Sequence, residues 1–362
     1  MSENNSLFDE DKEEILHPFD PSLINLSSSV QSVYTLMQRM KHNEMIRPSY
    51  QRQDDVWTKE VKSRLIESLL VRIPLPIFYI DASEDDKWKI VDGLQRLTAL
   101  KEFTVDKSFK LEGLEYLGAD LNGFGFDDLP RSFQRRIEET DVTVIQIKKG
   151  TPDSVKFNIF KRINTGGEPL SDQEIRHALN DGAASIILNK ICLDERFIKI
   201  FGEDNKRMQL HETALRGVSY FFLDQSYWGN DLDTYLINAM KEINKRYEKS
   251  AELVEIKAEK YLKVLKVCDC IFDDYVFRKF SLNGSNRKNP LNINVYEAWM
   301  SVLYNKDPDV LEKLIENKKV LLDNFSKLFL DKSFGYLMSS RKLASIKSRS
   351  LIINQLIDGV VK

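Results

Sequence analysis

The sequence predicts an α+β N-terminal domain followed by an all-α C-terminal domain, and three observations lead there. At 362 residues the chain exceeds what one hydrophobic core usually organises. Short β-rich runs alternate with helical periodicity through the first half. Beyond about residue 181 glycine and proline thin out, and helical spacing dominates to the end. The expected division is a flexible acidic tail over 1–20, a mixed domain over 21–180 and a helical domain over 181–362.

Residues 1–20 carry seven acidic side chains and few apolar anchors, the composition of a solvated tail. Val30, Val33, Tyr34, Met37 and Met40 recur at helical spacing, so a helix is expected over Ser27–Lys41, with an extended stretch near Met45–Pro48. A second helix is expected over Thr58–Val71, its buried stripe made by Val61, Leu65, Ile66, Leu69 and Leu70. Pro74 and Pro76 close it and lead into a strand, Ile77–Ile80, and Trp88–Val91 reads as the next. A helix beginning at Asp92-Gly93 puts Leu97, Leu100 and Phe103 on one face. Further on come a helix near Asp128–Glu138, a strand over Asp141–Ile147, and a helix over Pro152–Ile163 broken at Asn164-Thr165-Gly166-Gly167. Ser171 opens another helix. In the second half Leu253–Phe272 and Leu311–Phe329 are long helical runs, and 281–290 has the composition of an exposed loop.

Composition narrows the function classes. No apolar run approaches the eighteen residues of a membrane span, and the polar, acidic start lacks a secretory signal's basic and apolar regions. Three cysteines cannot staple a chain of this length, so a reducing cytoplasm is expected. Cys268 and Cys270 lie two apart in a helical stretch and point about 200° apart, which suits buried thiols better than a shared metal. A net charge of −3 argues against a protein that coats nucleic acid unspecifically, although a local basic patch is compatible with it.

Three segments carry chemistry. In Ile90-Val91-Asp92-Gly93-Leu94-Gln95-Arg96 a strand ends, glycine permits a tight turn and a helix begins. Backbone N–H groups at a helix start attract anions, Arg96 adds a forked cation suited to phosphate, and Asp92 stands where a carboxylate could hold a metal, a ribose hydroxyl or a water. The structural alternative is that Asp92 simply caps the helix. Tyr50-Gln51-Arg52 with Trp57 could wall a polar cleft, or form a surface loop with two aromatic anchors. In the third segment, Phe160 to Arg176, Asn164 or Gly166 can close one helix, and Ser171 with Glu174 forms a capping box for the next. That punctuation leaves Arg162, Asn164 and Arg176 unexplained.

In order and spacing these segments resemble the GmrSD N-terminal domain family. Its pattern is Tyr-Gln-Arg with a Trp shortly after, then Asp-Gly-Gln-Gln-Arg opening a helix, then Arg-x-Asn-x-x-Gly-x-x-Leu-Ser. Tyr50-Gln51-Arg52 and Trp57, Asp92 to Thr98, and Arg162 to Ser171 match in turn, across roughly residues 25–180. The resemblance implies a ParB/sulfiredoxin-like fold that binds or hydrolyses nucleoside triphosphates in modification-dependent restriction and phage defence. It implies Asp92, Gln95 and Arg96 as catalytic or phosphate-contacting residues. Gln51, Arg52, Gly93, Leu94, Arg162 and Asn164 would line the nucleotide site. The expected ligand is a nucleoside triphosphate (GTP, ATP or another) with Mg²⁺, and no protein metal site is expected.

Two departures bear on activity. Leu94 replaces the first Gln of the family's Asp-Gly-Gln-Gln-Arg: if that side chain orients water, turnover here is weak, and if only its N–H is used, nothing changes. Many relatives carry an HNH nuclease domain, but His17, His42, His177 and His211 are the only histidines and form no such centre. Around His211, the Glu212 and Arg216 pair reads as a packing or interdomain ion pair. The leading expectation is therefore a nucleotide-binding, NTP-hydrolysing defence component without an HNH centre, with DNA, a partner nuclease or other defence protein, or a second copy as partners. A DNA-binding protein or ParB-like nuclease using Arg278-Lys279, Arg287-Lys288 and Arg341-Lys342 to Arg349, and a non-catalytic scaffold, are the alternatives.

Overall fold

The structure, a computed structural model, describes residues 21–46, 57–84, 86–163, 170–224, 231–280, 289–340 and 343–361. The acidic tail, the Tyr50-Gln51-Arg52 run, the Asn164-to-Gly167 break and most of the 281–290 loop lie outside them. The fold is α+β, and two compact units divide the chain, Phe19–Leu170 and Ser171 onward. The expected boundary at 180/181 lies one short helix further along.

In the first unit β1 (Leu26–Ser32), β2 (Met45–Ile46), β3 (Phe78–Ala82), β4 (Trp88–Asp92) and β5 (Asp141–Lys148) form one sheet in the order β1-β5-β3-β4-β2. β1–β5 and β3–β4 are antiparallel, whereas β5–β3 and β4–β2 run parallel. Six helices join them: α1 (Val33–Lys41), α2 (Lys59–Leu70), α3 (Leu94–Thr104), α4 (Gly118–Leu121), α5 (Arg131–Glu138) and α6 (Asp153–Ile163). Leu36, Ile66, Phe78, Leu97, Leu100 and Phe103 are fully enclosed among them.

The helix expected over Ser27–Lys41 forms only from Val33; its first part is the edge strand β1. Ser27, Ser28 and Ser29 are poor helix residues because their hydroxyls compete for backbone groups, and β5 offers a seven-residue ladder. Ser32 then caps α1, its Oγ accepting from the Thr35 N–H. Val30, placed on the helical stripe by spacing, is exposed on the strand, and Val61 is likewise exposed on α2. Thr58 does cap α2 as expected, accepting from the Val61 N–H. Buried Glu67 accepts from the N–H groups of Glu115, Tyr116 and Leu117 at 2.9, 2.7 and 2.8 Å, fastening that loop to α2.

The second unit is helical: α7 (Asp172–Leu179), α8 (Ala183–Cys192), α9 (Glu195–Phe201), α10 (Gln209–Val218), α11 (Leu232–Lys249), α12 (Ala251–Phe272), α13 (Ile293–Leu303), α14 (Pro308–Glu316), α15 (Lys318–Leu328), α16 (Lys332–Leu337) and α17 (Leu343–Val361). All of α13 is buried, which makes it the unit's central helix. The run expected as one helix over Leu311–Phe329 breaks at Asn317, which ends α14 and starts α15, its Nδ2 donating to the Lys313 carbonyl. Ser171 and Glu174 form the expected capping box at α7. Arg216 bridges Glu212 (2.7 Å) and Glu297 (3.1 Å), while Arg176 meets Glu212 (3.4 Å) and Asp233. This matches the packing role read for the Glu212–Arg216 pair. Burial pushes the Cys192 thiol up to about 12 and raises that of Cys268 as well, so both are inert apolar fillers. No helix among the described residues is long and apolar enough to cross a membrane.

Candidate functional site

β4 feeds directly into α3 through Asp92 and Gly93. Gly93 is the N-cap, with φ at +95°, and no side chain caps this end. The alternative in which Asp92 caps α3 therefore does not hold. The first four N–H groups of a helix, counted from its cap, lack an intrahelical acceptor, and here the first of them belongs to a left-handed glycine. Space demands glycine too: a Cβ at Gly93 would lie 2.4 Å from Cδ1 of fully buried Phe78.

Asp92 turns its carboxylate along the helix instead of across its end. Arg96 Nη2 donates to Asp92 Oδ2 at 2.8 Å and to the Ile77 carbonyl at 3.2 Å, and Nη1 donates to the Pro76 carbonyl. The guanidinium also lies over the Phe78 ring, 4.5 Å from its centre. Arg96 thus clasps the segment entering β3 to the start of α3. Burial pulls its pKa down from the ordinary value and the Asp92 carboxylate opposes that; the group stays cationic. The Arg96 side chain is 12% exposed and that of Asp92 36%, so the carboxylate is the more open partner.

The predicted residues fall into distinct places. Asp92, Gly93, Leu94, Gln95 and Arg96 share the β4–α3 junction. Gln95 is half-buried, on the helix face next to Leu94. Arg162 is exposed in the last turn of α6 and makes no ion pair with Asp92, whose partner among the described residues is Arg96. Gln51, Arg52 and Asn164 lie outside the described residues. Trp57, just before the Thr58 cap, is half-buried.

At 100° per residue Leu94 and Arg96 face opposite sides of α3. Leu94 is buried and lines a cleft of about 380 Å³ with Met45, Ile46 and Ile90. Thr98 and Lys101, one and two turns on, continue that face. Sequence spacing of Leu94, Thr98 and Lys101 could have suggested a shared face, but their role as a cleft wall could not be read without β2 and the end of α1 opposite them. Also unforeseen is a buried pair: Lys156 Nζ on α6 lies 2.8 Å from Asp81 Oδ2 on β3 and 2.7 Å from Ser83 Oγ. Spacing carried no signal for it: the expected strand ended at Ile80, and only the observed strand, Phe78–Ala82, takes in Asp81.

The basic clusters lose one member as a nucleic-acid surface. Arg349 is fully buried, its Nη1 donating to the carbonyls of Leu337 (3.0 Å) and Ser340 (2.7 Å). Lys279 donates to Ser339 Oγ at 2.8 Å, and Arg278 to the Asn289 carbonyl. Arg287, Lys288, Arg341 and Lys342 lie outside the described residues.

Residues 33–180, less than half of the chain, match the family model described as GmrSD restriction endonuclease, N-terminal domain. The matched region contains α1 to α7 and the whole β4–α3 junction. No curated protein and no solved structure matches the chain.

Proposed function

We propose that this chain is a nucleotide-binding component of a restriction-type defence system, in which the phosphates of a nucleoside triphosphate sit on the first turn of α3. The observation that carries this reading is the junction itself: a left-handed Gly93 opens α3 with no side-chain cap, beside an Asp92 carboxylate that is more than one-third exposed. The helix start supplies fixed N–H dipoles to an anion without reorganisation. Arg96 holds Asp92 in place and contributes positive charge at the same end. The family match over residues 33–180 and the ParB/sulfiredoxin-like fold implied by the motifs point the same way.

The donor set suits a Mg²⁺ that arrives on the triphosphate. Asp92 is one open carboxylate, and among the described residues no group of three or more His, Cys, Asp or Glu could cage an ion. Mg²⁺ is commonly bound by one or two carboxylates together with substrate phosphates and water. When bound, the ion would neutralise phosphate charge. The chain's part is then to hold the triphosphate at α3, with Asp92 and Gln95 placed to orient a water and Arg96 to brace Asp92. A partner nuclease or other defence protein, and the cytoplasm as location, belong to the same proposal.

Calorimetric titration of the full chain with nucleoside triphosphates and Mg²⁺ tests it. Arg96→Ala, which removes the brace on Asp92 and the positive charge beside the helix start, is expected to weaken binding about tenfold, the equivalent of about 1.4 kcal/mol. Absence of binding heat with every nucleotide, with and without Mg²⁺, overturns the proposal.

A further inference from the structure

From the cleft beside Leu94 we infer a second half of the nucleotide site: it seats the nucleoside, so the chain recognises its ligand by the base and not by phosphate alone. This rests on the proposed function and deepens it. The cleft, about 380 Å³, lies within the usual range for small-molecule sites, about 300–1,000 Å³. Its floor starts at Leu94, the first residue of α3, where the phosphates would be held. From there it follows α3 past Thr98 to Lys101, seven residues or about 10 Å, enough to lay a ribose and a base end to end.

Polarity separates the two halves. Met45, Ile46, Ile90 and Leu94 come from two strands and a helix to make an apolar floor for a flat ring. The charges at the rim are already paired: Lys101 Nζ contacts the Asp106 carboxylate at 2.6 and 2.8 Å, and Glu102 receives Lys62 Nζ at 2.6 Å. Among the described residues of the rim no surplus cation remains for a phosphate, whereas the Asn43 amide and the Thr98 hydroxyl offer neutral hydrogen-bonding groups to a base edge. Leu94, where the resembling family carries Gln, thereby becomes a specificity residue: its side chain shapes the base floor and its backbone belongs to the phosphate end.

The test compares the four ribonucleoside triphosphates with inorganic tripolyphosphate on the full chain with Mg²⁺. At least one nucleoside triphosphate is expected to bind roughly tenfold or more tighter than tripolyphosphate. Two cleft-filling variants from different elements, Thr98→Phe and Ile46→Phe, are expected to erase that advantage and leave tripolyphosphate affinity unchanged. If one variant fails to fold, the other decides. Equal binding of nucleotides and tripolyphosphate by the wild type, or full retention of the advantage in both variants, overturns the inference while leaving the phosphate site standing. Binding of neither ligand overturns both together.

Discussion

Replacing Gly93 by alanine separates backbone strain from steric demand at the β4–α3 junction. The φ of +95° imposes a left-handed conformation that costs an L-residue roughly 1–2 kcal/mol. The new Cβ would also lie 2.4 Å from Phe78 Cδ1 and 3.2 Å from Arg96 Nη2. Phe78 is fully buried between the sheet and α3, so its ring cannot yield into solvent. Overpacking of that kind typically costs about 1–3 kcal/mol. The expected total is about 2–5 kcal/mol, a large share of an ordinary stability of about 5–15 kcal/mol. Gly150 is the matched control: its φ is +98°, yet a Cβ there meets nothing within 4 Å. Gly150→Ala should therefore show the strain alone, and the difference between the two variants isolates the clash. Urea unfolding followed by circular dichroism reads both, fitted to the transition of the first unit because the two units can unfold separately. Gly93→Ala no less stable than Gly150→Ala would refute the claim that Phe78 requires glycine at this position.

Three further outcomes are expected. Lys156→Met should destabilise the first unit by about 3–5 kcal/mol, because it strands the Asp81 carboxylate in the interior; adding Asp81→Leu should recover most of that loss, and an additive double mutant in urea unfolding would contradict the pairing. Acid should destabilise the helical unit from pH 6.5 downward: burial, with a smaller contribution from His177, depresses His211 from 6.5 to about 4, so the unfolded chain gains a proton that the folded chain refuses. Stability is fully present above pH 6.5 and falls by up to about 1.4 kcal/mol per pH unit toward pH 4. His211→Asn, which keeps an acceptor for Asn205 Nδ2, should flatten that slope, and an unchanged slope would exclude His211 as its source. Below pH 4.5 a further loss is expected from Glu212. Although burial alone would raise its pKa, Arg216 and Arg176 hold it at about 2, so the folded state resists protonation there.

What the sequence determined by itself is whatever depends on neighbours along the chain. Leu97, Leu100 and Phe103 mark the buried face of α3 by spacing, Thr58 and Ser171 announce their helices by capping chemistry, and Asp92-Gly93 marks the strand-to-helix junction because only a tight turn fits there. The helical second half is legible for the same reason: helix hydrogen bonds close over four residues. What only the tertiary structure decided depends on partners distant in sequence. Ser27–Ser29 join a strand because β5, more than a hundred residues later, supplies the ladder, a competition that helical periodicity cannot register. Arg96 carries the charge foreseen for it, but its acceptors at Pro76 and Ile77 come from the chain entering β3, and their position follows from sheet packing. Arg349 reads as a surface cation until α17 packs and buries it. Leu94 is ambiguous in sequence; its side chain acquires a meaning only when β2 closes over the α3 face and turns a motif departure into the floor of a cleft.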